Sequence, residues 1–476
     1  MMPVVPSPLT GRRRRHGSSA RATPTGACGT FDWPWQRSAT TSQHTLVMAA
    51  SRHFLIVTQV FSPDPAAVGQ YFDEAAQALA GAGAEVTVLT ANRGYDNPDQ
   101  RFAARETRDG ISIRRLPLSS FGKASIPVRI FAQLSFLVQC ILRGLFAPKL
   151  TDLLVSTSPP MAAITAVLIG LFRPKLKVHY WVMDINPDQA VILGAFGSKH
   201  PLVLALDWLN RRILKRADSV IALDRFMAER MEHKLKHPDT GLRRPIAIIP
   251  PWPMDDYLEP VEHADNPFRK QHGWDDTFVV MYSGNHSLVH PLDTILAAAA
   301  RLRNDPRFVF AFIGGGKGKA VIDARLQAEA NASRNLISLP YQPLEQIRYS
   351  LSAADLHLVS LGDNMSGIVH PCKIYGALSI GRPALTLGPK ESYLSDIIEP
   401  DPASVSSHQS SQAAPVGWAI QHGDVDGAVA ALKAAADQTK AERAAIGQRA
   451  QQVATEKFGR EQLVNQFLRT VLNPRD

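Results

Sequence analysis

Cysteine is scarce in this chain of 476 residues: Cys28, Cys140 and Cys372 are the only three, and no two share a metal-ligand or pairing spacing. That excludes a disulfide framework and a zinc ribbon, and favours a reducing compartment. No HExxH and no G-x-S-x-G occurs, and the histidines are scattered. Zinc-protease and serine-hydrolase chemistry therefore lack an anchor. The run GGGKGK at 314–319 fails as a phosphate loop. The pattern needs glycine where Ile313 stands and Ser or Thr where Ala320 stands. It fails as GxGxxG too, because Lys319 or Val321 takes the third glycine's place. A nicotinamide dehydrogenase is thereby disfavoured.

Aromatics make up 7% of the chain and its charge is scattered, whereas apolar residues reach 45%. The composition suits two or three globular domains and excludes a long disordered chain. The formal net charge is +9, but residues 1–47 hold six arginines and one acid. The body is thus only weakly basic, which argues against a nucleic-acid partner. Residues 1–47 show no helical or strand period. No apolar stretch follows Arg12–Arg15, so a secretory signal is excluded. A transit peptide, a disordered tail and a misplaced start codon all remain open.

Residues 53–60 (HFLIVTQV) form a continuous apolar run, the pattern of a parallel strand covered on both faces. A Pro-rich loop, a helix over 71–80 and a strand over 84–90 complete a βαβ unit. Further strands are predicted at 111–116, 153–156, 178–183 and 219–223. A second series starts at 278–282 and continues through strands at 308–313, 336–339, 356–360 and 383–387. Residues 244–251 read as the connection. Residues 404–414 read as a surface loop, 427–457 as an Ala-rich helical stretch and 458–472 as a final helix. The fold class is α/β, with two Rossmann-like, doubly wound parallel-sheet domains. The predicted division is a tail over 1–47, domains over 48–245 and 246–440, and C-terminal helices over 441–476 that pack back toward the first domain.

Two stretches are long enough to raise a membrane reading. Residues 153–172 carry no charge, but the STSPP at 156–160 suits a strand, a turn and a helix start. Residues 126–146 differ. Arg129, Gln133, Gln139 and Arg143 share one side of a helical wheel and apolar residues cover the rest. The uncharged run 130–142 is too short to span. A helix lying in a membrane surface and a helix packed on the sheet both fit, and the two are compatible.

Three loops fall at strand carboxyl ends in the second series: 284–290, 314–316 and 362–367. In an open parallel sheet such ends line one crevice. The third loop precedes a helix expected near Pro371, where amides and Lys373 suit a diphosphate. The single DxD, Asp424-Val-Asp426, precedes a helix where acids commonly cap. It lies outside the crevice loops, so no metal is expected.

This arrangement resembles the retaining, B-type-fold glycosyltransferases of the bacterial polysaccharide and glycolipid group (group 1, or family 4-like). Within that group it is similar to the branch acting on polyprenyl-linked sugars in capsule, O-antigen or exopolysaccharide assembly. The matching landmarks are TQVFSPDP at 58–65 with Gly69, EVTVLT at 85–90, YWVMD at 180–184, Ser283-Gly-Asn285, and KIYGALSIGRP at 373–383. The resemblance implies a nucleotide-sugar donor (UDP- or GDP-linked) as co-substrate, no cofactor, and a lipid-linked or saccharide acceptor. It implies a cytoplasmic location, with possible contact to the inner membrane face through 126–146. Asp184, with Asp188 competing, takes the acceptor-side catalytic place. The donor-side candidates are Gly69, Gly284, Asn285, His286, His290, Gly314, Gly315, Tyr341, Gln342, Ser366, Gly367 and Lys373.

The chain departs from the family pattern. Asn285 and His290 stand where the family commonly has Arg and Lys, and Ile368 and Gly376 stand where it commonly has glutamates. Diphosphate charge must then be met by Lys373, His290 or the amides of Ser366 and Gly367. The departures mark a divergent subfamily. They keep two alternatives open: a catalytically silent partner of a polysaccharide complex, and a nucleotide-sugar epimerase on the same fold.

Overall fold

A computed structural model describes residues 49, 51–64, 66–94, 99–121, 126–235, 245–253, 258–328, 335–399 and 415–473. The tail over 1–47 and the loop over 404–414 lie outside these residues.

The first half builds an eight-stranded sheet from β1 (His53–Val57), β2 (Glu85–Ala91), β3 (Arg105–Arg108), β4 (Ile111–Leu116), β5 (Asp152–Val155), β6 (Lys177–Trp181), β7 (Ser219–Ala222) and β8 (Ala247–Ile248). Their order is β3-β4-β2-β1-β5-β6-β7-β8. Only β3 runs antiparallel, against β4. Every residue of β1 and β5 is buried, as the unbroken apolar runs require of strands covered on both faces.

The helices of this half are α1 (Ala67–Gly81), α2 (Ile126–Phe146), α3 (Ala163–Phe172), α4 (Asp188–Ile192), α5 (Pro201–Arg216) and α6 (Arg225–Leu235). The strand order sends the β4-to-β5, β5-to-β6 and β6-to-β7 crossovers the same way. By the right-handed rule α2, α3 and α5 therefore share one face of the sheet. α3 packs against both α2 and α5. The uncharged stretch 153–172 resolves into β5, a turn and α3.

After α7 (Pro267–His272) the second half builds a six-stranded, wholly parallel sheet. Its strands are β9 (Phe278–Asn285), β10 (Phe308–Gly315), β11 (Leu336–Leu339), β12 (Leu356–Ser360), β13 (Ala384–Leu387) and β14 (Gly417–Ile420). The order is β11-β10-β9-β12-β13-β14. α8 (Asp293–Arg301), α9 (Lys317–Ala328), α10 (Leu344–Ser352), α11 (Lys373–Ser379), α12 (Tyr393–Ile398) and α13 (Val425–Asp437) belong to this half. The chain reverses direction between β9 and β12, so the loops after those strands open the crevice of this sheet.

Three features sharpen the sequence reading. The stretch 427–457 is not one helix: α13 ends at Asp437 and α14 (Lys440–Phe458) begins anew. Thr439 there accepts from Glu442 N while the Glu442 side chain accepts from Thr439 N, a reciprocal cap that starts a helix. The connection over 244–251 contains β8, which adds to β7. The helix expected near Pro371 begins at Lys373 and runs seven residues.

The halves meet along a polar seam. Ile185 N donates to Ile368 O at 2.9 Å. His370 Nδ1 lies 2.8 Å from Asp224 Oδ2, and its Nε2 2.7 Å from Tyr375 Oη. α15 (Arg460–Leu472) returns to the first half. Phe467 packs at a tilt against Trp181 with centroids 5.0 Å apart, and Arg52 Nη1 donates to Leu472 O at 2.6 Å.

Candidate active site

The carboxyl ends of β9 and β10 carry the densest group of candidates. The two strands stay paired to their last residues, Gly314 opposite Gly284 and Gly315 opposite Asn285. A Cβ on Gly314 would lie 2.0 Å from Gly284 O, and Gly314 has φ +129°. Only glycine lets the strands close there. Part of the glycine run at 314–316 is therefore needed for strand approach, independent of any ligand. Gly318 N is also spent, donating to His286 O at 2.8 Å. Gly315 faces Tyr341, whose ring would meet a Cβ at 2.9 Å and which is 55% exposed.

Lys373, the first residue of α11, reaches across to this edge. Its Cε lies 2.9 Å from where a Gly284 Cβ would be, and its Nζ is 5.1 Å from the Tyr282 ring centroid. Burial lowers its pKa to about 8, opposed by the neighbouring Cys372. Among the described residues no carboxylate pairs with it. His286 is 1% exposed, and neither of its ring nitrogens has a hydrogen-bond partner among the described residues. Burial, then Lys319 and Lys373, lowers its pKa to about 4. His290 is lowered to about 3 by burial and then by Lys373. Both imidazoles are therefore neutral near pH 7. The edge offers one lysine charge without a counter-ion and imidazole nitrogens still to be satisfied, a set suited to a hydrogen-bonding anion.

Asp184 follows β6 in the first half. Its backbone N–H and that of Met183 donate to the Thr157 hydroxyl oxygen at 3.3 and 3.2 Å. Its carboxylate forms no hydrogen bond or ion pair among the described residues, and burial alone raises its pKa to about 6. Cys372, beside Lys373, is close enough to feel that charge. The acceptor-side and donor-side candidates thus approach each other at the start of α11.

Other predicted residues sit elsewhere. Asp188 is held by Lys234 at 2.6 Å and Arg230 at 3.7 Å. Asp188 is thus engaged by two cations, whereas the Asp184 carboxylate is unpaired among the described residues, so the geometry favours Asp184 over Asp188. Gly367 has φ +69°, and its Cβ would lie 2.5 Å from Phe226 O. Its glycine is required by the seam between the halves. Ser366 lies beside it, its carbonyl accepting from Arg230 at 3.4 Å and its Oγ donating to Glu391 O at 3.4 Å. Gly69 packs on the Val60–Phe61 backbone of its own half, where a Cβ would come within 3.0 Å of Phe61 N. Gln342 turns back to Pro340 O at 2.9 Å.

Sequence reasoning missed Tyr282, Lys319 and Cys372 as members of this group. Tyr282 reads only as the end of a strand and Cys372 only as a cysteine without pairing or ligand spacing, and Lys319 was considered only for a phosphate loop. Asp424 caps α13 through Gly427 N at 2.8 Å, and Asp426 pairs with Arg301. Among the described residues no group of three or more His, Cys, Asp or Glu is placed to hold a metal.

Residues 66–252 match the glycosyl transferase 4-like domain family. WbjE of Pseudomonas aeruginosa, named as a glycosyltransferase, is 28% identical over 274 residues, covering 55% of this chain and 65% of WbjE. The chain thus spans a little under two-thirds of that relative. WcaI of Escherichia coli K12, named as a glycosyl transferase for colanic acid biosynthesis, is 24% identical over 357 residues, 72% of this chain and 84% of WcaI. Among solved structures, sucrose-phosphate synthase from Thermosynechococcus elongatus superposes with a TM-score of 0.64 at 17% identity, over 87% of this chain and 97% of that one. HepE of Anabaena in complex with UDP superposes at 0.61 and 13% identity, over 89% and 99%. These structures share the B-type fold of two parallel-sheet α/β domains. The chain thus matches the glycosyl transferase 4-like domain over residues 66–252 and is similar to bacterial glycosyltransferases over as much as 72% of its length.

Proposed function

We propose that the chain transfers a sugar from a UDP- or GDP-sugar to a hydroxyl of a lipid-linked or polysaccharide acceptor, with retention, in bacterial exopolysaccharide assembly. The observation that carries this reading is the uncompensated charge of Lys373 beside Gly284, His286 and His290, at the crevice edge of the second sheet. The complex of HepE with UDP and the naming of WcaI for colanic acid support the donor and the setting. In this reading Lys373 and the imidazole N–H groups meet charge building on the leaving diphosphate. The C1–O bond to the diphosphate breaks and the acceptor oxygen bonds C1 on the same face. Asp184 orients the acceptor hydroxyl or receives its proton. Tyr341 offers an exposed ring for the nucleobase, and no metal is needed. The site works on the cytoplasmic side, with α2 as the element that touches the membrane.

The reading is tested by supplying radiolabelled UDP- and GDP-sugars with membrane extract and following label into lipid. Transfer that depends on Lys373 supports it. A second reading is favoured by one observation: Asn285 and a neutral His290 leave a single cation for two phosphates. In that reading the chain is a silent partner, and no nucleotide binds by calorimetry. Isomerisation of free UDP-sugar without acceptor would instead indicate an epimerase.

A further inference from the structure

Among the described residues 21 large hydrophobic residues stand exposed, and they are unevenly placed. Sixteen of them lie between Leu118 and Trp208, and five in the rest of the described chain. Almost all of the sixteen belong to the α2–α3–α5 layer and the loop that feeds α5. Helix α2 buries Ala132, Phe136 and Cys140 against the sheet, yet its outer face is apolar too: Phe131, Leu134, Val138 and Leu142 are each about half exposed. A helix apolar on both faces has a second partner. At its end Arg173 donates to Gly144 O at 2.9 Å and Ala147 O at 2.8 Å. That clasp holds the end of α3 beside the end of α2, so Phe146, Leu171 and Phe172, exposed by 82%, 71% and 71%, extend the same surface. Beyond α3, the loop over 192–196 and α5 add Leu193, Phe196, Leu204 and Trp208. This loop begins four residues after Asp188, directly downstream of Asp184.

The charge of this layer selects the occupant. Residues 126–216 contain eleven Lys and Arg against four Asp and no Glu. Asp152 is fully buried on Arg52 and His179, and Asp188 and Asp207 are both held by Lys234. Arg129, Arg143, Lys175, Lys199, Arg212 and Lys215 stand exposed around the apolar residues. A second copy of this face would meet it cation against cation. An anionic bilayer meets it with opposite charge and takes its apolar side chains.

We infer that the α2–α3–α5 layer is a docking face for an anionic membrane surface, and that the loop over 192–196 enters the interface beside Asp184. Docking extends past α2 to an acceptor-side loop, and so sets the distance from the bilayer at which a lipid-borne hydroxyl meets the cleft. The docking does not depend on the transferase reading; only the role given to the loop rests on it.

The test is co-sedimentation of the full chain with phosphatidylcholine vesicles and with vesicles containing phosphatidylglycerol. Binding to the anionic vesicles is expected, weakened by salt. Phe131→Ser with Leu134→Ser, and separately Phe196→Ser with Trp208→Ser, should each weaken it about tenfold or more. These side chains are half exposed, so thermal melting should be unchanged; the exposed pair Arg212→Glu with Lys215→Glu gives an independent reading through charge alone. Binding left intact by the Phe196/Trp208 pair overturns the loop's part. Equal binding to neutral and anionic vesicles overturns the charge selection. Dimerisation without vesicle binding assigns the face to a second copy and overturns the whole. UDP binding by calorimetry without lipid reads the transferase proposal separately, so either can fail alone.

Discussion

The ammonium of Lys373 lies 5.1 Å from the ring centroid of Tyr282, and among the described residues it has no carboxylate partner. The two residues are 91 positions apart and join the entry of α11 to the core of β9. An aromatic face holds a cation in place without neutralising it. The charge therefore remains available to an anion arriving at the strand ends.

A buried, unpaired charge costs stability and serves binding. Lys373→Met should therefore raise the melting temperature of the free protein, by the equivalent of about 1–3 kcal/mol after allowance for its partial exposure. The same substitution should weaken UDP binding about tenfold or more. Calorimetry and thermal melts on one preparation check both. Unchanged UDP affinity would remove Lys373 from the donor site.

The pH dependence of donor binding follows from the same group. Burial holds the Lys373 pKa at about 8, below its ordinary 10.5. UDP affinity should fall as pH rises through about 8, because the free protein loses the charge there. Its own stability should rise between about 8 and 10.5, where the unfolded chain still binds the proton. Titrations from pH 6.5 to 9.5 read the first effect, and Lys373→Met should flatten it.

Asp184 shows the opposite displacement. Burial raises it to about 6 from an ordinary 3.8, so the native state binds its proton more tightly than the unfolded chain. Stability should fall as pH rises between about 4 and 6, and Asp184→Asn should recover about 1–3 kcal/mol at pH 7.5. If Asp184 handles the acceptor hydroxyl, turnover should show an acidic limb near pH 6, and the asparagine variant should lose about a hundredfold in rate. A retained limb in that variant would assign it to another group.

Much of this architecture was legible in the residues. Continuous apolar runs such as HFLIV in β1 and FVVMY in β9 can only be strands covered on both faces, and turn-rich breaks between them fix the α/β class. The placement of Lys373, Asp184 and the 284–290 loop at strand carboxyl ends followed from the same pattern. The glycines were less legible. Gly314 is required by Gly284 O and Gly367 by Phe226 O, and a spacing rule cannot separate a glycine that admits backbone from one that admits ligand. The neutralisation of Asp188 by Lys234, 46 residues away, was invisible for the same reason. The short strands β3 and β14 lack apolar alternation: RETR and GWAI form because a neighbouring strand offers them an edge.

The seam between the halves makes a sharper prediction. Asp224, in the first half, holds His370, which passes on to Tyr375 and stacks on Tyr393 with centroids 3.8 Å apart. Asp224→Ala leaves a buried imidazole without its partner and removes the acceptor of the Met227 amide at 2.8 Å. The expected loss is about 2–4 kcal/mol, read by urea unfolding, because both groups stay desolvated. His370→Phe keeps the ring stack with Tyr393 but strands the buried Asp224 carboxylate and the Tyr375 hydroxyl, so it should cost a similar amount.

Acid sensitivity should originate at the foot of the first sheet. Arg52 Nε donates to Asp152 Oδ2 at 2.8 Å, His179 Nε2 sits 2.8 Å from Oδ1, and Arg52 also holds Leu472 O of the last helix. Despite burial, the bonds from His179 and Arg52 lower the Asp152 pKa to about 2. His179, buried in full, is lowered as well and stays neutral. Both groups bind fewer protons in the native state than in the unfolded chain. Stability should therefore fall first below about pH 6.5, as unfolded His179 takes its proton. It should fall again between about 4 and 2 as Asp152 loses its charge, the second step worth about 2 kcal/mol. Asp152→Asn strands the Arg52 guanidinium in the core and should cost about 3–5 kcal/mol at pH 7. It should also flatten the lower step of the pH profile. Because Arg52 carries the contact to Leu472, hydrogen exchange in α15 should rise in that variant before the central strands are affected; uniform exchange across the chain would separate the last helix from this cluster.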